Sequence, residues 1–532
     1  MSTVREATYE LFRAHRMTTM FGNPGSTELP MLADFPDDFR YVLALHEGVA
    51  VGMADGYAQA TGRPAHVNLH TAPGVGNAGG ALFNAWANKA PLLVTAGQQV
   101  RAYMTLQANL TNRDAVEVPK PFVKWSYEVP LAADVPLALA RAIHLASLPP
   151  RGPAFVSVPM DDWGAEANPV APIAARRVVG RAVAAPDEVA ALAQRIDHAR
   201  NPILIAGGDV DASGGWEAVI ALAEKARLPV LATPAPGGGR LGFPEGHPNF
   251  RGLLAPAIGP AGAMLEGHDL VLVVGSSVFP YYPYLPGPAL PDGSALVAIT
   301  SDPDEAARAP VGDALVADVG LTLAALVEAV NESSRAAPEP LDSSPPTAPD
   351  PSLPLDSGAV HAVLRDVMPD DAAIVLEAPS STMALRNRLR ISRSTSYFFG
   401  AGGGLGFGLA GALGVQLALP DRRVICVLGE GSAQYAITGF WTAVAYQLPI
   451  TFLVMRNEEY GILKWFAGLE SVTGAPGLDL PKLETGAVAA AYGVVSERVS
   501  DLDELRAALE RAIPDEGPRL VEVDVKPGMS LF

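Results

Sequence analysis

The chain has 532 residues, more than a single hydrophobic core normally serves, and this length predicts about three domains. Lys and Arg number 38 against 57 Asp and Glu, a net charge of -19, which argues against nucleic acid or an anionic membrane as a partner. The single cysteine, Cys426, excludes an intrachain disulfide and fits a reducing cytoplasm.

Met1 to Met17 is charged and amphipathic, with Thr3 and Glu6 at capping-box spacing, so it predicts a first helix and not a secretory signal. Short apolar runs follow at Thr18 to Met20, Tyr41 to Leu45, Ala65 to Leu69 and Pro91 to Ala96. They alternate with helical patterns as far as residue 180, the signature of an α/β domain with a mostly parallel sheet. Ligands of such sheets bind beyond the carboxyl ends of strands, and Ser26, Glu47 and His70 each follow one. Three chemically useful side chains are therefore expected on one rim.

Residues 181–331 repeat the α/β pattern, with strands predicted at Ile203 to Ala206, Val230 to Ala232, Leu270 to Val274 and Ala295 to Ile299. Gly207-Gly208-Asp209 after the first of these is not GxGxxG, so no dinucleotide site is read there. Residues 332–357, ESSRAAPEPLDSSPPTAPDPSLPLDS, are too rich in proline, serine and acid to bury a core and read as a linker.

Residues 358–532 form a third α/β unit, so two similar halves flank a middle domain. The uncharged stretch Gly400 to Pro420 opens on Gly402-Gly403-Gly404 and predicts a closely packed buried helix after a glycine loop, not a membrane span. Val424 to Leu428 reads as a buried parallel strand that breaks at Gly429-Glu430-Gly431, with a helix from Ser432. Ile450 to Met455 then delivers Arg456 and Asn457 to the same edge, because parallel strands joined by a crossover helix end side by side. Glu430 and Asn457 are thus expected to meet. Oxygen ligands beside a glycine turn and a helix start suit a magnesium ion holding a diphosphate.

The motif Gly429 to Asn457 resembles that of the thiamine diphosphate enzymes, with Glu430 for the usual Asp and Arg456 for the first Asn of the usual pair. FGNPGSTELP, NLHTAPGVGNAGGAL, PLLVTAGQQ, LTNRDAVEVPKPFVKWSYE, FPEGHPNFRGLL, AGGGLGFGLAGALGVQLA and YGILKWFAG extend the resemblance over almost the entire chain. Together they resemble the thiamine diphosphate-dependent 2-oxo acid decarboxylases, most closely the benzoylformate decarboxylases. The resemblance implies the thiamine diphosphate-binding fold, with pyrimidine-binding, middle and diphosphate-binding domains in that order. It also implies a homodimer or homotetramer with each active site between two subunits.

Residue by residue, the resemblance makes Glu47 the carboxylate that activates the cofactor's pyrimidine ring. Leu405 becomes the apolar wedge under the cofactor, and Gly403 offers a carbonyl to its amino group. Ser26 would hold the substrate carboxylate and His70 would move a proton, helped by the near-neutral range of imidazole. Tyr282, beside Tyr281, stands where a second histidine is expected. Pro379 replaces a diphosphate-contacting hydroxyl and leaves that work to Ser380 and Ser432, with Gly431 and Tyr460 also at the cofactor. Leu110, Phe399, Ile462 and Phe466 would line the substrate pocket. Glu430, Asn457 and the backbone carbonyl of Glu459 would ligate magnesium; the alternative has Glu430 turned away and Arg456 neutralising the diphosphate. The expected reaction is decarboxylation of an uncharged aryl or branched 2-oxo acid to an aldehyde. A carboligase or aldehyde lyase, and a catalytically silent cofactor binder, are the rival readings.

Overall fold

The structure, a computed structural model, describes residues 2–234, 239–341 and 354–529. Within these ranges the chain builds three domains, each a six-stranded, wholly parallel sheet flanked by helices. The first holds β1 (Thr19–Gly22), β2 (Arg40–Leu43), β3 (Ala65–Leu69), β4 (Leu92–Gln98), β5 (Trp125–Glu128) and β6 (Ala154–Pro159), in the order β2-β1-β3-β4-β6-β5. The middle sheet holds β7 (Pro202–Ala206), β8 (Val230–Ala232), β9 (Phe250–Leu253), β10 (Leu270–Val274), β11 (Ala295–Thr300) and β12 (Asp313–Val316), in the order β12-β11-β10-β7-β8-β9. The third holds β13 (Ala373–Glu377), β14 (Tyr397–Phe399), β15 (Val424–Gly429), β16 (Ile450–Arg456), β17 (Val495–Val499) and β18 (Arg519–Asp524), in the order β14-β13-β15-β16-β18-β17. Counted within their own domains, the first and third sheets share one strand order and the middle sheet has another.

The apolar runs become strands because helices cover both faces of a parallel sheet, so a central strand has no wet side. Every residue of β3, β4, β6, β13 and β16 is buried. None of the edge strands β5, β12 and β17 is fully buried, and β5 and β17 interrupt their apolar residues with polar ones, so the sequence pattern does not single those two out. The first helix, Val4–Ala14, has the expected capping box between Thr3 and Glu6. Of the predicted linker, residues 342–353 lie outside the described residues. Before them Arg335 donates to the carbonyls of Ile196, Ala199 and Ala226, and after them Asp356 caps the helix Ser357–Val367.

The first and third domains share a core built by two helices, Glu47–Thr61 and Phe407–Ala418. They approach backbone to backbone because glycines face each other. A Cβ at Gly52 would lie 2.6 Å from the Ala410 Cβ, one at Gly56 2.2 Å from the Gly411 carbonyl oxygen, and one at Gly414 1.9 Å from the Met53 carbonyl oxygen. The stretch read as a packed helix behind a glycine loop is therefore half of this joint. No helix among the described residues is long and apolar enough to cross a membrane.

Candidate active site

The predicted site residues fall on two rims. On the first, β1, β2 and β3 lie side by side and end together, so the segments after them converge. Ser26 sits exposed in the turn after β1. Glu47 opens the helix after β2 and is buried; Asn77 donates to its Oε2 at 3.0 Å and Asn23 to its Oε1 at 3.5 Å. His70 caps the helix after β3, with Nδ1 2.8 Å from Oε2 of the buried Glu28 and 3.2 Å from the Thr27 hydroxyl. A carboxylate only accepts, so this contact assigns the Nδ1 proton to His70 and leaves Nε2 free to exchange one.

Glu28 is a functional residue the sequence reading missed, two positions beyond Ser26. Its Oε2 also accepts from the Gly25 amide at 2.8 Å, and its Oε1 from the Thr27 hydroxyl at 2.7 Å and the Gly97 amide at 3.0 Å. Every partner lies on this rim, which fixes the carboxylate and through it the imidazole. A Cβ at Gly25 would fall 2.1 Å from His70 Nδ1, so only glycine lets the ring lie there. The available signal was an acid beside a glycine turn at a strand end; two of its four partners, His70 and Gly97, are far away in sequence.

On the second rim, β15 and β16 are paired with Gly429 opposite Met455, and Glu430 and Asn457 follow directly. The helix begins at Glu430, two residues earlier than predicted, since the strand runs on to Gly429, the N-cap residue, whose backbone is extended. Glu430 Oε1 accepts from the backbone amides of Asn457 at 3.1 Å and Glu458 at 2.6 Å, so the two residues meet through the Asn457 backbone and not, as expected, through its side-chain amide. Burial pushes the Glu430 carboxyl above its usual value. Asn457 Oδ1 accepts from the Glu459 amide at 3.2 Å and keeps a second lone pair. The Glu459 carboxylate is held by Lys464 and by the Gly528 amide. Arg456 pairs with Asp524, Glu458 and Glu484.

Ser380, in the turn after β13, accepts from the Ile462 amide at 3.0 Å, and a Cβ at Gly461 would lie 3.1 Å from both its hydroxyl oxygen and Asn457 Nδ2. Gly431 and Ser432 are buried, and the Tyr460 ring lies over Gly431, where a Cβ would be 2.8 Å from it. Glu377, the last residue of β13, is a second residue the sequence reading missed. It accepts from the amides of Gly406 at 2.8 Å, Phe407 at 3.1 Å and Gly408 at 3.1 Å, capping the helix behind Gly403 and Leu405. Burial outweighs these donors and raises its carboxyl to about 8.

Of the pocket residues, Ile462 and Phe466 lie one turn apart on the helix Gly461–Leu469, and the Tyr282 ring packs on Phe466 with centroids 4.7 Å apart. Tyr281 turns the other way: its hydroxyl is buried, without a partner among the described residues, and burial raises its pKa. Phe399 ends β14, and Leu110 lies in a first-domain loop at φ 67°. No hydrogen bond or ion pair joins the Glu47 and Glu430 rims among the described residues.

The second rim fits a metal-bound diphosphate. Both backbone amides that the Glu430 side chain accepts from fall on Oε1 and leave Oε2 for a cation, and the amide oxygen of Asn457, on the loop those amides belong to, offers a second oxygen. These are hard oxygen donors of the kind magnesium takes.

Family models agree with this reading along the chain. Residues 2–118 match the N-terminal TPP binding domain of the thiamine pyrophosphate enzymes, residues 189–326 the central domain and residues 378–523 the C-terminal TPP binding domain. The chain is 50% identical to a benzoylformate decarboxylase of Pseudomonas aeruginosa over 524 residues, 98% of this chain and 99% of that one. Among solved structures, it matches a thiamine diphosphate-dependent 4-hydroxybenzoylformate decarboxylase of Rhodococcus jostii with TM-score 0.96 and 45% identity, each chain covered in full. A benzoylformate decarboxylase of Polynucleobacter necessarius matches with TM-score 0.97 and 41% identity, again over the whole of both chains. With both rims and all three domains accounted for, the chain belongs to the thiamine pyrophosphate enzymes.

Proposed function

We propose that this protein decarboxylates an uncharged aryl 2-oxo acid, with benzoylformate the first choice and a smaller aliphatic 2-oxo acid the second, releasing carbon dioxide and an aldehyde. The observation that carries the reading is the first rim, where a buried carboxylate and an oriented imidazole stand beside an exposed serine. Thiamine diphosphate, when bound, supplies the nucleophilic carbon and the electron sink that such a decarboxylation needs. Glu47, steadied by Asn77, trades a proton with the pyrimidine ring. Ser26 binds the substrate carboxylate. His70, with Nδ1 committed to Glu28, moves a proton at Nε2. Tyr282 borders the pocket on Phe466, where its hydroxyl or a water delivers the final proton.

Glu430, Asn457 and the Glu459 carbonyl would hold magnesium; Ser380, Ser432, Gly431 and Tyr460 would contact the diphosphate, and Gly403 and Leu405 the rings. The ion pairs of Arg456 favour this assignment over one in which Arg456 meets the diphosphate. With no hydrogen bond or ion pair between the two rims among the described residues, the resemblance favours a homodimer or homotetramer whose sites lie between subunits. The buried thiol of Cys426, donating to the Gly408 carbonyl, supports a cytoplasmic setting. Domain divisions are proposed near residues 180, 331 and 357.

Carbon dioxide release from a panel of 2-oxo acids, with and without an acceptor aldehyde, tests the reading. Turnover of benzoylformate to free aldehyde supports it. Product formed only with the acceptor makes the protein a carboligase, and cofactor binding with no turnover makes it a silent binder.

A further inference from the structure

The glycine loop before the helix Phe407–Ala418 belongs to the third domain, yet one of its peptides is gripped by the first. Asn84, on the helix Gly79–Ala87, is buried, and its amide meets Gly404 twice: Nδ2 donates to the Gly404 carbonyl at 2.8 Å and Oδ1 accepts from the Gly404 amide at 3.1 Å. The close approach needs glycine, since a Cβ at Gly402 would lie 2.7 Å from Oδ1 and one at Gly404 2.9 Å. Asn88, one turn further on, accepts from the Ala401 amide at 2.8 Å.

The double contact has a directional consequence. The Gly403-Gly404 peptide is trans, the cis bonds being Lys120-Pro121, Pro149-Pro150 and Tyr282-Pro283. In a trans peptide the N–H and the preceding C=O point opposite ways. With the Gly404 N–H on Asn84, the Gly403 carbonyl must point away from Asn84. The Gly404 carbonyl is also held by Asn84, so the next plane is fixed and the Leu405 N–H points away as well. Gly403, at φ 73°, and Gly404 flank the first of these planes and, lacking side chains, have the freedom to let it flip, and the Asn84 amide is what stops it.

We infer that Asn84 is a positioning residue: by holding both polar groups of Gly404 it aims the Gly403 carbonyl and seats Leu405 for the cofactor's pyrimidine ring. This rests on the assignment of Gly403 and Leu405 to the cofactor proposed above.

The test compares Asn84→Ala and Asn84→Asp with the parent. Asn84→Ala removes both bonds, and the affinity for thiamine diphosphate, titrated by tryptophan fluorescence, should fall about tenfold, as for a lost well-placed hydrogen bond. kcat should fall at least as far, with substrate KM unchanged. Asn84→Asp gives a sharper readout. Its protonated carboxyl again offers one donor and one acceptor, so cofactor affinity and kcat should recover toward parental values as pH is lowered, while Asn84→Ala does not recover. Parental affinity and kcat in Asn84→Ala would overturn the inference, as would losses that merely track a lower folded fraction. Failure of the parent to turn over any 2-oxo acid would sink the proposed reaction, and the cofactor titration would still decide on Asn84.

Discussion

Glu28 Oε2 stands 2.8 Å from Nδ1 of His70, and every other bond the Glu28 carboxylate makes is to a residue of the same rim. The imidazole is therefore set in one tautomer by a carboxylate that cannot itself turn. Glu28→Gln puts an amide NH2 where an acceptor is needed, so the backbone N–H of either Gly25 or Gly97 must lose its acceptor, and the negative charge that orients the imidazole is gone. Turnover should fall at least tenfold and at most by the ~10²–10⁴ that a positioned acid or base contributes, while thiamine diphosphate affinity is unchanged. Steady-state kinetics beside a cofactor titration decide it, and a variant with parental kcat would leave the His70 contact without a catalytic purpose.

Two buried carboxyls predict how stability depends on pH. Burial raises Glu377 from an ordinary 4.5 to about 8, and Asp55, bonded to Gln59 and Asn88, from 3.8 to about 7. Between the ordinary and the raised values the folded chain keeps protons that the unfolded chain has released. Stability therefore falls as pH rises from about 5 to about 8, by a few kcal/mol in order of magnitude if both titrate freely. Glu377→Gln should flatten that slope. Melting temperatures at pH 6 and pH 8.5 measure it, and parallel losses in parent and variant would refute the assignment.

The joint between the first and third domains allows a steric prediction. A Cβ on Gly414 would meet the Met53 carbonyl oxygen at 1.9 Å and the Tyr57 amide nitrogen at 2.7 Å, and neither backbone atom can swing aside. Gly414→Ala should lower stability by about 1–3 kcal/mol or more through overpacking, although alanine is the better helix former. Thermal unfolding will show it; an unchanged melting temperature would mean the helices are free to separate.

The central strands and the Glu430 to Asn457 meeting were legible because each depends on local pattern: apolar runs, a glycine turn, and the rule that parallel neighbours end together. Glu28 and Glu377 were not, because their partners, Gly97 and Gly406 to Gly408, are brought to them only by the fold. Nor does the run FPYYPY, four aromatics and two prolines over residues 279–284, say which tyrosine turns outward. The structure packs Tyr281 against the middle-domain core and sets the Tyr282 ring at a tilt against Phe466. Tyr282→Phe keeps that ring contact and removes only the hydroxyl, so kcat should change less than about threefold if water delivers the proton. A loss of about a hundredfold, the scale of a lost general acid, would assign the step to the phenol.

Glu430 departs from the aspartate of the motif it resembles, and its hydrogen bonds define a test of metal binding. A glutamate here is one methylene longer than the family's aspartate, and the extra length brings Oε1 to the amides of Asn457 and Glu458. Oε2 is then the oxygen left for magnesium, and the ion's octahedral shell tolerates a water where the reach falls short. Glu430→Asp is too short to keep both amide bonds and ligate at once; it should still bind metal, because a carboxylate remains at the same turn. Glu430→Ala removes the ligand and also leaves two amides without their acceptor. After chelation, magnesium titrated back against carbon dioxide release and against cofactor fluorescence should show Glu430→Asp within about tenfold of the parent in metal requirement. Glu430→Ala should need at least about a hundredfold more, since losing a charged ligand outweighs losing a neutral hydrogen bond. If all three proteins share one magnesium dependence, Glu430 serves only to tie β15 to the loop after β16, and the metal is held elsewhere.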